Sequence, residues 1–546
     1  MRVGSIVRVP LHGRRVRGWV TGWVVAGDDP PVDGLLDVLA VVSEGPPAVV
    51  VELGEWVAER WCGPAVAVLR SASPPNNVAP RTASLLPPPS GRTNSAAVVR
   101  RPPLHDRRAE VADLCASDGS TIVCVADAGR SRSLASYLRN AGRTVALMHS
   151  FESDAERTRS WELAARGGCV VVGGRISVFA PVPDLRAAVV VDDADEALQE
   201  ERSPTWHARD VLRERARRAG APFTVFSPAP TVEAIVDVGR ARGVDAPSPD
   251  VERAGWPRVE IVDRREEPPG SGLLSEALAN ALHHAGGLAV CVLNRRGRFR
   301  LLVCGACAHL LRWDKPDERP LVCPDCGATK LRVLRAGVTR VREELEALVP
   351  GARVVDVDAA TEDVPGSDIV VGTEAVLHRA EVRRARPALV AYLDLDQELL
   401  APRYRAAAQA HWLLTRGAQL LAGRPRHETL MLLQTRISEH VVVQAVARGE
   451  PALVAESEIE YRRVLGYPPF GALAELSGAD AAVAAAVDAL RALDVQSEGV
   501  QVFGPADGKA LVNAPEWTAL SRALRRALPV GRAAGRLRAA VDPPRV

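Results

Sequence analysis

Four of the nine cysteines occur in two Cys-x-x-Cys pairs, a spacing that is typical of a structural metal site. Cys304 and Cys307 form the first pair, Cys323 and Cys326 form the second, and 15 residues separate the pairs. In a zinc ribbon each pair forms a tight turn, and the two turns bring four thiolates into a tetrahedron. Four ligands leave no open coordination position, so the metal would be structural and not catalytic. Two other interpretations remain open, a redox-active dithiol pair and four unrelated buried cysteines.

A degenerate phosphate-binding loop follows the first predicted strand of an α/β domain. In the motif GxxxxGK[ST], backbone N–H groups approach the phosphates and the lysine neutralises part of their charge. Gly129 and Ser131 match this motif. Cys124 replaces its first glycine, however, and Arg130 replaces its lysine. The sequence therefore predicts no catalytic residue and no working phosphate cradle at this loop, and it leaves the binding of ATP as an open question.

The basic residues are almost all arginine, and this bias limits the possible nucleotide chemistry. The chain has 69 basic and 67 acidic residues, and its three lysines are Lys315, Lys330 and Lys509. A GC-rich genome explains the preference for arginine. Whatever its cause, the first 300 residues contain no lysine, and a P-loop lysine is excluded there.

Arginines are concentrated on two predicted strands near the N-terminus, where guanidinium groups can neutralise DNA phosphates. The candidate nucleic-acid-binding residues are Arg8, Arg14, Arg15, Arg17 and Trp19. Trp19 and Trp23 lie four residues apart in alternating sequence, which predicts that they share a strand face and can stack on bases. The alternatives are that the arginines are only solvated surface and that the tryptophans face a small core. A second candidate patch comprises Arg295, Arg296, Arg298 and Arg300.

Strand-like runs alternate with helical stretches over most of the chain, which predicts two α/β domains with parallel sheets. Period-two alternation near the N-terminus predicts a small β-rich module. An alanine-rich helix over 479–493, between strand-like runs, predicts a small α+β domain at the C-terminus. The predicted organisation is a β-rich domain at 1–72, a Pro/Ser-rich linker at 73–104, α/β lobes at 105–255 and 256–450 with the ribbon at 301–330 in the second lobe, and a C-terminal domain at 451–546.

The overall composition predicts a soluble protein. Apolar residues make up 47% and charged residues 25% of the 546 residues. No apolar run is long enough to span a membrane, so we expect no membrane partner. Met1 is not followed by an apolar signal core, and we therefore expect a cytoplasmic protein.

Several short segments match the motifs of one family in the right order along the chain. They are segments 7–11, 14–20, 171–175, 178–181, 206–210, 227–231, 294–297, 339–345, 371–373 and 463–470. Together with the ribbon they make the chain resemble the PriA family of primosomal replication-restart proteins along nearly its whole length. The resemblance implies an N-terminal 3′-DNA-binding domain, two RecA-like α/β lobes with an inserted zinc ribbon, and a C-terminal α+β domain.

The departures from the family pattern imply a variant without helicase activity. Members that unwind DNA carry an intact phosphate loop, an Asp-Glu-Glu-His box and a Gly-Arg-Ala-Gly-Arg finger. This chain has Asp192-Asp193-Ala194-Asp195 and Gly423-Arg424-Pro425-Arg426 instead. The family ribbon usually has eight cysteines in two zinc sites, so four cysteines imply that one structural zinc ion per chain is kept. The resemblance also places Met1 inside the usual family start.

The resemblance implies a function in replication restart. The chain is expected to bind stalled or abandoned forks and to promote primosome assembly and reloading of the replicative helicase. The implied partners are branched or forked DNA, primosome proteins, the helicase loader or the replicative helicase, and single-strand-binding protein. One alternative is an active ATP-dependent 3′-5′ DNA helicase with an atypical nucleotide site. Another is a decayed paralogue that binds only a partner protein.

Overall fold

The computed structural model describes two compact units. The described residues are 1–23, 36–79, 95–239, 243–267, 272–293, 300–304, 306–307, 310–313, 322–329, 331–333, 338–357, 366–492 and 499–546. The first unit contains Met1–Arg100, Asp106–Ala246 and Ile459–Val546, and the second contains Arg101–His105 and Pro247–Glu458. Among the described helices, none is long and apolar enough to cross a membrane.

The first unit begins with a three-stranded antiparallel sheet of order β2-β1-β3, followed by two helices. The elements are β1 (Ile6–Leu11), β2 (Arg14–Trp19), β3 (Ala40–Ser43), α1 (Ala48–Arg60) and α2 (Ala65–Ala72). The turn between β1 and β2 contains His12 and Gly13, whose φ angles are 47° and 75°. Glycine adopts such angles without steric cost, which permits the tight hairpin. The hairpin places the N-terminal arginines on paired strands.

A seven-stranded sheet forms the centre of the first unit, and all of its strand pairs are parallel. Its order is β10-β4-β9-β8-β5-β7-β6. The elements are β4 (Ala96–Val99), α3 (Arg108–Asp113), β5 (Ser120–Val125), α4 (Ala128–Asn140), β6 (Val145–Met148), α5 (Asp154–Arg166), β7 (Val170–Gly173), β8 (Leu185–Val191), α6 (Ala208–Ala219), β9 (Phe223–Phe226), α7 (Val232–Asp237) and β10 (Val244–Asp245). Val125 pairs with Val191 at the ends of β5 and β8. The residues that follow these two strands therefore lie side by side at the carboxyl edge of the sheet.

The second unit is built on a six-stranded parallel sheet of order β11-β19-β18-β12-β17-β16. A small antiparallel sheet of order β14-β13-β15 is inserted after β12. The elements are α8 (Pro249–Ala254), β11 (Arg258–Asp263), α9 (Glu276–His283), β12 (Ala289–Val292), β13 (Arg300–Cys304), β14 (Leu310–Trp313), β15 (Leu331–Val333), α10 (Val338–Leu348), β16 (Val354–Val357), β17 (Ile369–Gly372), α11 (Ala380–Arg384), β18 (Leu389–Tyr392), α12 (Asp396–Leu399), α13 (Ala406–Leu420), β19 (Leu430–Thr435) and α14 (Val441–Arg448).

The C-terminal part of the chain returns to the first unit as an antiparallel sheet of order β21-β22-β20-β23 with two helices. α15 (Ala452–Leu465) begins in the second unit, and the chain enters the first unit at Ile459 within this helix. The elements that follow are β20 (Ala472–Gly478), α16 (Asp480–Ala492), β21 (Gln501–Ala506), β22 (Lys509–Ala514), α17 (Trp517–Ala534) and β23 (Leu537–Val541). Apolar side chains from this part, from α1 and from the seven-stranded sheet belong to one buried cluster. The C-terminal sheet and the parallel sheet are therefore packed together.

Polar contacts hold the C-terminal part at specific points. The Thr205 hydroxyl donates to the carbonyl of Val541 at 2.7 Å. The Arg60 guanidinium lies between the rings of Trp61 and Trp517, at 4.8 and 5.0 Å from their centroids. These contacts connect β23 to the parallel lobe and α17 to α1.

The predicted fold class is confirmed, since the chain is a multidomain α/β protein with parallel-sheet lobes, an inserted cysteine-rich sheet and a C-terminal α+β part. The predicted linker at 73–104 is wrong at its C-terminal end. Residues Ala96–Val99 form β4, which pairs with β9 inside the parallel sheet. Four apolar residues after a proline-rich run carry too short a periodicity to be recognised as a strand. Residues 80–94 of that predicted linker lie outside the described part of the chain.

A buried ion pair generates a prediction about the packing of the C-terminal part. Arg462 donates to Glu233 at 3.2 Å, and their side chains are 1% and 8% exposed. Replacing Arg462 by alanine should lower the free energy of unfolding by about 3 kcal/mol, because it removes a cationic partner from a buried carboxylate. Urea denaturation followed by tryptophan fluorescence measures this loss. Arg463→Ala is the matched control, since this exposed neighbour should contribute less than about 1 kcal/mol. Equal losses in the free energy of unfolding for the two variants would contradict a specific contribution of the Arg462–Glu233 ion pair.

Candidate functional site

Two arginines bind one carboxylate at the carboxyl edge of the seven-stranded sheet. Arg130, in the first turn of α4, donates through Nη1 to Asp192 Oδ2 at 2.8 Å. Arg107, just before α3, binds both oxygens of the same carboxylate, with Nη2 at 3.1 Å from Oδ2. The Asp192 side chain is only 4% exposed. Both oxygens of the acid that follows β8 are therefore engaged by guanidinium groups.

The remaining residues of the predicted phosphate loop are used by the local fold. The Asp127 carboxylate caps α4 by accepting from the backbone N–H of Arg130 at 2.8 Å. The Ser131 hydroxyl donates to the carbonyl of Val125 at 3.1 Å and is fully buried. The capping carboxylate places negative charge at the helix N-terminus, where a phosphate would otherwise be attracted. This arrangement stabilises the loop as a helix start and not as a phosphate cradle.

The second acid of the run, Asp193, belongs to a different buried network. Its carboxylate accepts from the backbone N–H of Thr231 at 3.2 Å and lies 3.7 Å from Nη1 of Arg209. Burial raises the pKa of Asp193 to about 6, although Arg209 and the bonds from Thr231 act in the opposite direction. Arg209 also donates to Thr231 Oγ1 at 2.8 Å and to Asp210 at 3.0 Å. The segments 206–210 and 227–231 are thus joined to the acidic run.

No phosphate loop follows β4 either, the strand that precedes β5 in the chain. β4 is followed by Arg100-Arg101-Pro102-Pro103, and no glycine occurs before Arg107. An arginine follows each of β4 and β5, and both of these arginines, Arg107 and Arg130, bind Asp192. Arg107 was not predicted from sequence. It lies 85 positions from Asp192, so no local pattern marks it.

The four paired cysteines converge in the second unit. Cys304 ends β13, and Cys323 and Cys326 flank a turn that is followed by Gly327 at φ 70°. The Sγ atoms of Cys304 and Cys326 are 3.5 Å apart, and all four sulfurs lie within 4.8 Å of one another. Sulfurs bound tetrahedrally at 2.3 Å from a zinc ion would be about 3.8 Å apart. A disulfide requires about 2.05 Å, so no disulfide joins Cys304 and Cys326, and the convergence of all four sulfurs fits one metal ion.

Thiol acidity separates the metal-site cysteine Cys304 from the core cysteines. Backbone N–H groups of Cys307 and Ala306 lower the pKa of Cys304 to about 6. Burial raises the thiol pKa to about 11 or about 12 at the five cysteines outside the cluster, which are Cys62, Cys115, Cys124, Cys169 and Cys291. Their burial fits the interpretation that they are plain core residues.

The N-terminal arginines form an exposed face on the β1–β2 hairpin. Arg8 pairs directly with Arg17 across the two strands, and Arg15 pairs with Pro10. Since alternate residues of a strand point to the same side, Arg8, Arg15 and Arg17 share one face. Arg14 pairs with Leu11 and lies on the opposite face. Like charges placed opposite each other destabilise a hairpin, and a bound anion would relieve this repulsion.

The expectation that Trp19 and Trp23 share a strand face is wrong. β2 ends at Trp19, so the alternation does not extend to Trp23. Trp19 is half-buried, and its Nε1 donates to Ser73 Oγ at 2.9 Å. Trp23 is 59% exposed. The ring nitrogen of Trp19 is therefore occupied within the domain, and Trp23 is the more accessible aromatic. In the second arginine patch, residues 295–298 lie outside the described residues, as does the side chain of Arg300.

Two parts of the chain match known domain families. Residues 1–74 match the 3'DNA-binding domain (3'BD), and residues 463–544 match the Primosomal protein N C-terminal domain. The first match contains the arginine face of the hairpin, and the second begins at the end of α15.

Several bacterial proteins are similar to the whole chain or to much of it. Probable replication restart protein PriA from Mycobacterium tuberculosis is 30% identical over 574 residues, which cover 92% of this chain and 86% of that protein. Replication restart protein PriA from Bacillus subtilis is 27% identical over 376 residues, which cover 61% of this chain and 46% of that protein. The corresponding protein from Synechocystis is 26% identical over 65% of this chain and 48% of its own length. The matched region thus spans about half the length of the last two relatives.

Solved structures match the chain only at low identity and low TM-score. Dbp5 from S. cerevisiae bound to RNA and ADP BeF3 has a TM-score of 0.39 at 11% identity, over 69% of this chain and 90% of its own. A DEAD box protein from Methanococcus jannaschii has a TM-score of 0.32 at 10% identity, over 65% of this chain and 86% of its own.

The cysteine geometry predicts one bound metal ion per chain. Metal analysis of the purified protein should give about one zinc, and Cys326→Ser should lower this content by removing one of four thiolates. Cys291→Ser is the control, because this buried cysteine belongs to the apolar core of the second unit and should leave the zinc content unchanged. A content of two zinc ions per chain, or an unchanged content in Cys326→Ser, would contradict a single four-cysteine site.

Proposed function

The chain belongs to the PriA family of replication restart proteins, and we propose that it binds forked DNA without unwinding it. At a stalled or abandoned fork it would promote primosome assembly and reloading of the replicative helicase. Its proposed partners are the forked DNA, the helicase loader or replicative helicase, other primosome proteins and single-strand-binding protein. The proposed site of action is the cytoplasm. The proposed cofactor is one structural zinc ion on Cys304, Cys307, Cys323 and Cys326.

The observation that carries this proposal is the closed ion-pair cluster at Asp192. A nucleotide motor needs cationic groups that face the phosphates and a carboxylate that faces a magnesium ion. Here the guanidinium groups of Arg107 and Arg130 form ion pairs with the carboxylate of Asp192. A triphosphate would have to break these partly buried ion pairs before it could bind. The cluster therefore favours a lobe in which the charged groups that would bind a nucleotide bind one another instead.

The exposed hairpin face supports a function based on DNA binding. Arg8, Arg15 and Arg17 lie on one side of two short strands, inside the region that matches the 3'DNA-binding domain. Guanidinium groups at this spacing can contact successive phosphates, which gives affinity without sequence preference. Among the described residues, none of these three arginines forms an ion pair with an acid. Their charge is available for a polyanion.

The structural zinc site would contribute a rigid surface and not a reactive centre. When bound, zinc would stabilise the turns that carry the four cysteines, because four thiolates complete its coordination. Cys304 and Cys323 are buried, while Cys307 and Cys326 are exposed. The cluster therefore lies at the surface of the second unit, where a folded ribbon could contact a protein partner.

ATP hydrolysis distinguishes this proposal from an active helicase. Release of phosphate from ATP by the purified protein with forked DNA should stay at background, because neither β4 nor β5 leads into a phosphate loop with lysine. Arg130→Ala and Asp192→Asn serve as controls for contaminating enzymes and should leave any residual rate unchanged. DNA-stimulated turnover that Arg130→Ala abolishes would overturn the proposed loss of helicase activity.

Fork binding as a function of salt tests the arginine face. The double variant Arg8→Ala/Arg17→Ala should bind fork DNA about 10-fold more weakly at moderate salt, and the slope of log K against log salt should fall by about 2. Arg217→Ala is the matched control, since this exposed arginine lies on α6 and is already paired with Glu214 at 2.7 Å. Fluorescence anisotropy with a labelled fork measures both quantities. An unchanged slope would remove this face from the interface. Wild-type affinity for a fork no better than for plain duplex would favour the paralogue that binds only protein.

A further inference from the structure

An exposed aromatic ring is held in a fixed orientation at the carboxyl edge of the seven-stranded sheet. Phe151 follows β6 and is 71% exposed. Its ring is stacked on the imidazole of His149, with 5.2 Å between the centroids and 14° between the planes. Since one face of the phenyl ring lies on His149 and most of the residue is exposed, the opposite face is open to solvent.

The support beneath this ring is rigid. His149 is 5% exposed, and its Nε2 contacts the carbonyl of Ala126 at 3.0 Å, directly after β5. The backbone N–H of Glu152 donates to the carbonyl of His149 at 3.1 Å and closes the turn that carries Phe151. The next residue, Ser153, caps α5 in a reciprocal capping box. The turn is therefore fixed on both sides, and the ring loses little freedom when it binds a ligand.

The two acids closest to Phe151 in the sequence, Glu152 and Asp154, each form an ion pair with an arginine. Arg132 on α4 binds the carboxylate of Glu152, with Nη2 at 3.0 Å from Oε1. A phosphate would have to compete with this ion pair, whereas a neutral planar group would not. Ser150, which precedes Phe151, is exposed and polar, and Asp154 pairs with Arg157 on α5 at 3.2 Å. Phe151 is one exposed apolar side chain between polar neighbours in the sequence, which is too small an apolar surface for stable docking of a protein segment.

We infer that Phe151, supported by His149, is a stacking platform for an unpaired nucleobase of the fork. Every base has a π face, so one open aromatic ring suffices for stacking without sequence preference. The platform follows β6, the edge strand of the seven-stranded sheet. It is a contact separate from the arginine face of the hairpin, and it rests on the proposed binding of forked DNA.

Two forks that differ only in the bases of one single-stranded arm test this inference. One arm carries thymines, and the other carries abasic sites on the same phosphate backbone. Wild-type protein should bind the thymine arm roughly 5- to 20-fold more tightly, because stacking requires the base. Phe151→Ala should abolish this preference and keep the affinity for the abasic arm, which also shows that the variant is folded. Phe151→Trp should retain the preference.

The matched control is Phe503→Ala, which removes another exposed phenyl ring from β21 of the same unit, 53% exposed. It should bind both forks like the wild type. A preference that survives in Phe151→Ala, or a wild-type protein that does not distinguish the two arms, would overturn the platform while fork binding itself stands. A wild-type protein that binds neither fork would overturn the proposed function, and the platform with it.

Discussion

The carboxylate of Asp192 is the group on which the arrangement of the first lobe depends. It follows β8, where the strand order brings the ends of β5 and β8 side by side. A carboxylate this buried requires cationic partners, because removing a charge from water is costly unless it is paired and hydrogen-bonded. Arg107 and Arg130 supply them from two different segments. Three charged side chains thereby satisfy one another at the place where a nucleotide motor would hold its ligand.

The same requirement for paired charge extends from this edge into the C-terminal part. Asp193 is held by Thr231 and Arg209, and Glu233 in the following helix is held by Arg462. Burial of these groups selects one geometry, since a displaced partner would leave a charge inside the protein. The hairpin arginines, the Phe151 ring and the C-terminal sheet all belong to this compact unit. In the proposed binding of forked DNA, arginines and an aromatic ring held in fixed positions would favour one geometry of the DNA.

Much of the fold and the metal cluster could be predicted from sequence. Short β-branched runs between helices identified the strands of both parallel sheets, since strands buried on both faces are continuously apolar. Two Cys-x-x-Cys pairs predicted four converging thiolates, because the spacing within each pair already determines a local turn. β4 was missed, as four apolar residues after a proline-rich run provide too little periodicity. The prediction that Trp19 and Trp23 share a strand face was wrong for a related reason. The alternating sequence pattern continues past Trp19, but β2 ends there.

The sequence by itself determined what the chain lacks and which local elements it forms: no lysine in the first lobe, two cysteine pairs, and arginines on a hairpin. Only the tertiary structure decided which ion pairs form where the phosphate-binding groups are missing. Arg107 and Asp192 are 85 positions apart, and Arg130 and Asp192 are 62 positions apart. Their contact depends on the order of strands in the sheet, which local periodicity does not encode. His149, on which Phe151 is stacked, likewise contacts the carbonyl of Ala126, which follows a different strand, β5. Local patterns specify elements, whereas burial and charge pairing between distant segments specify the site.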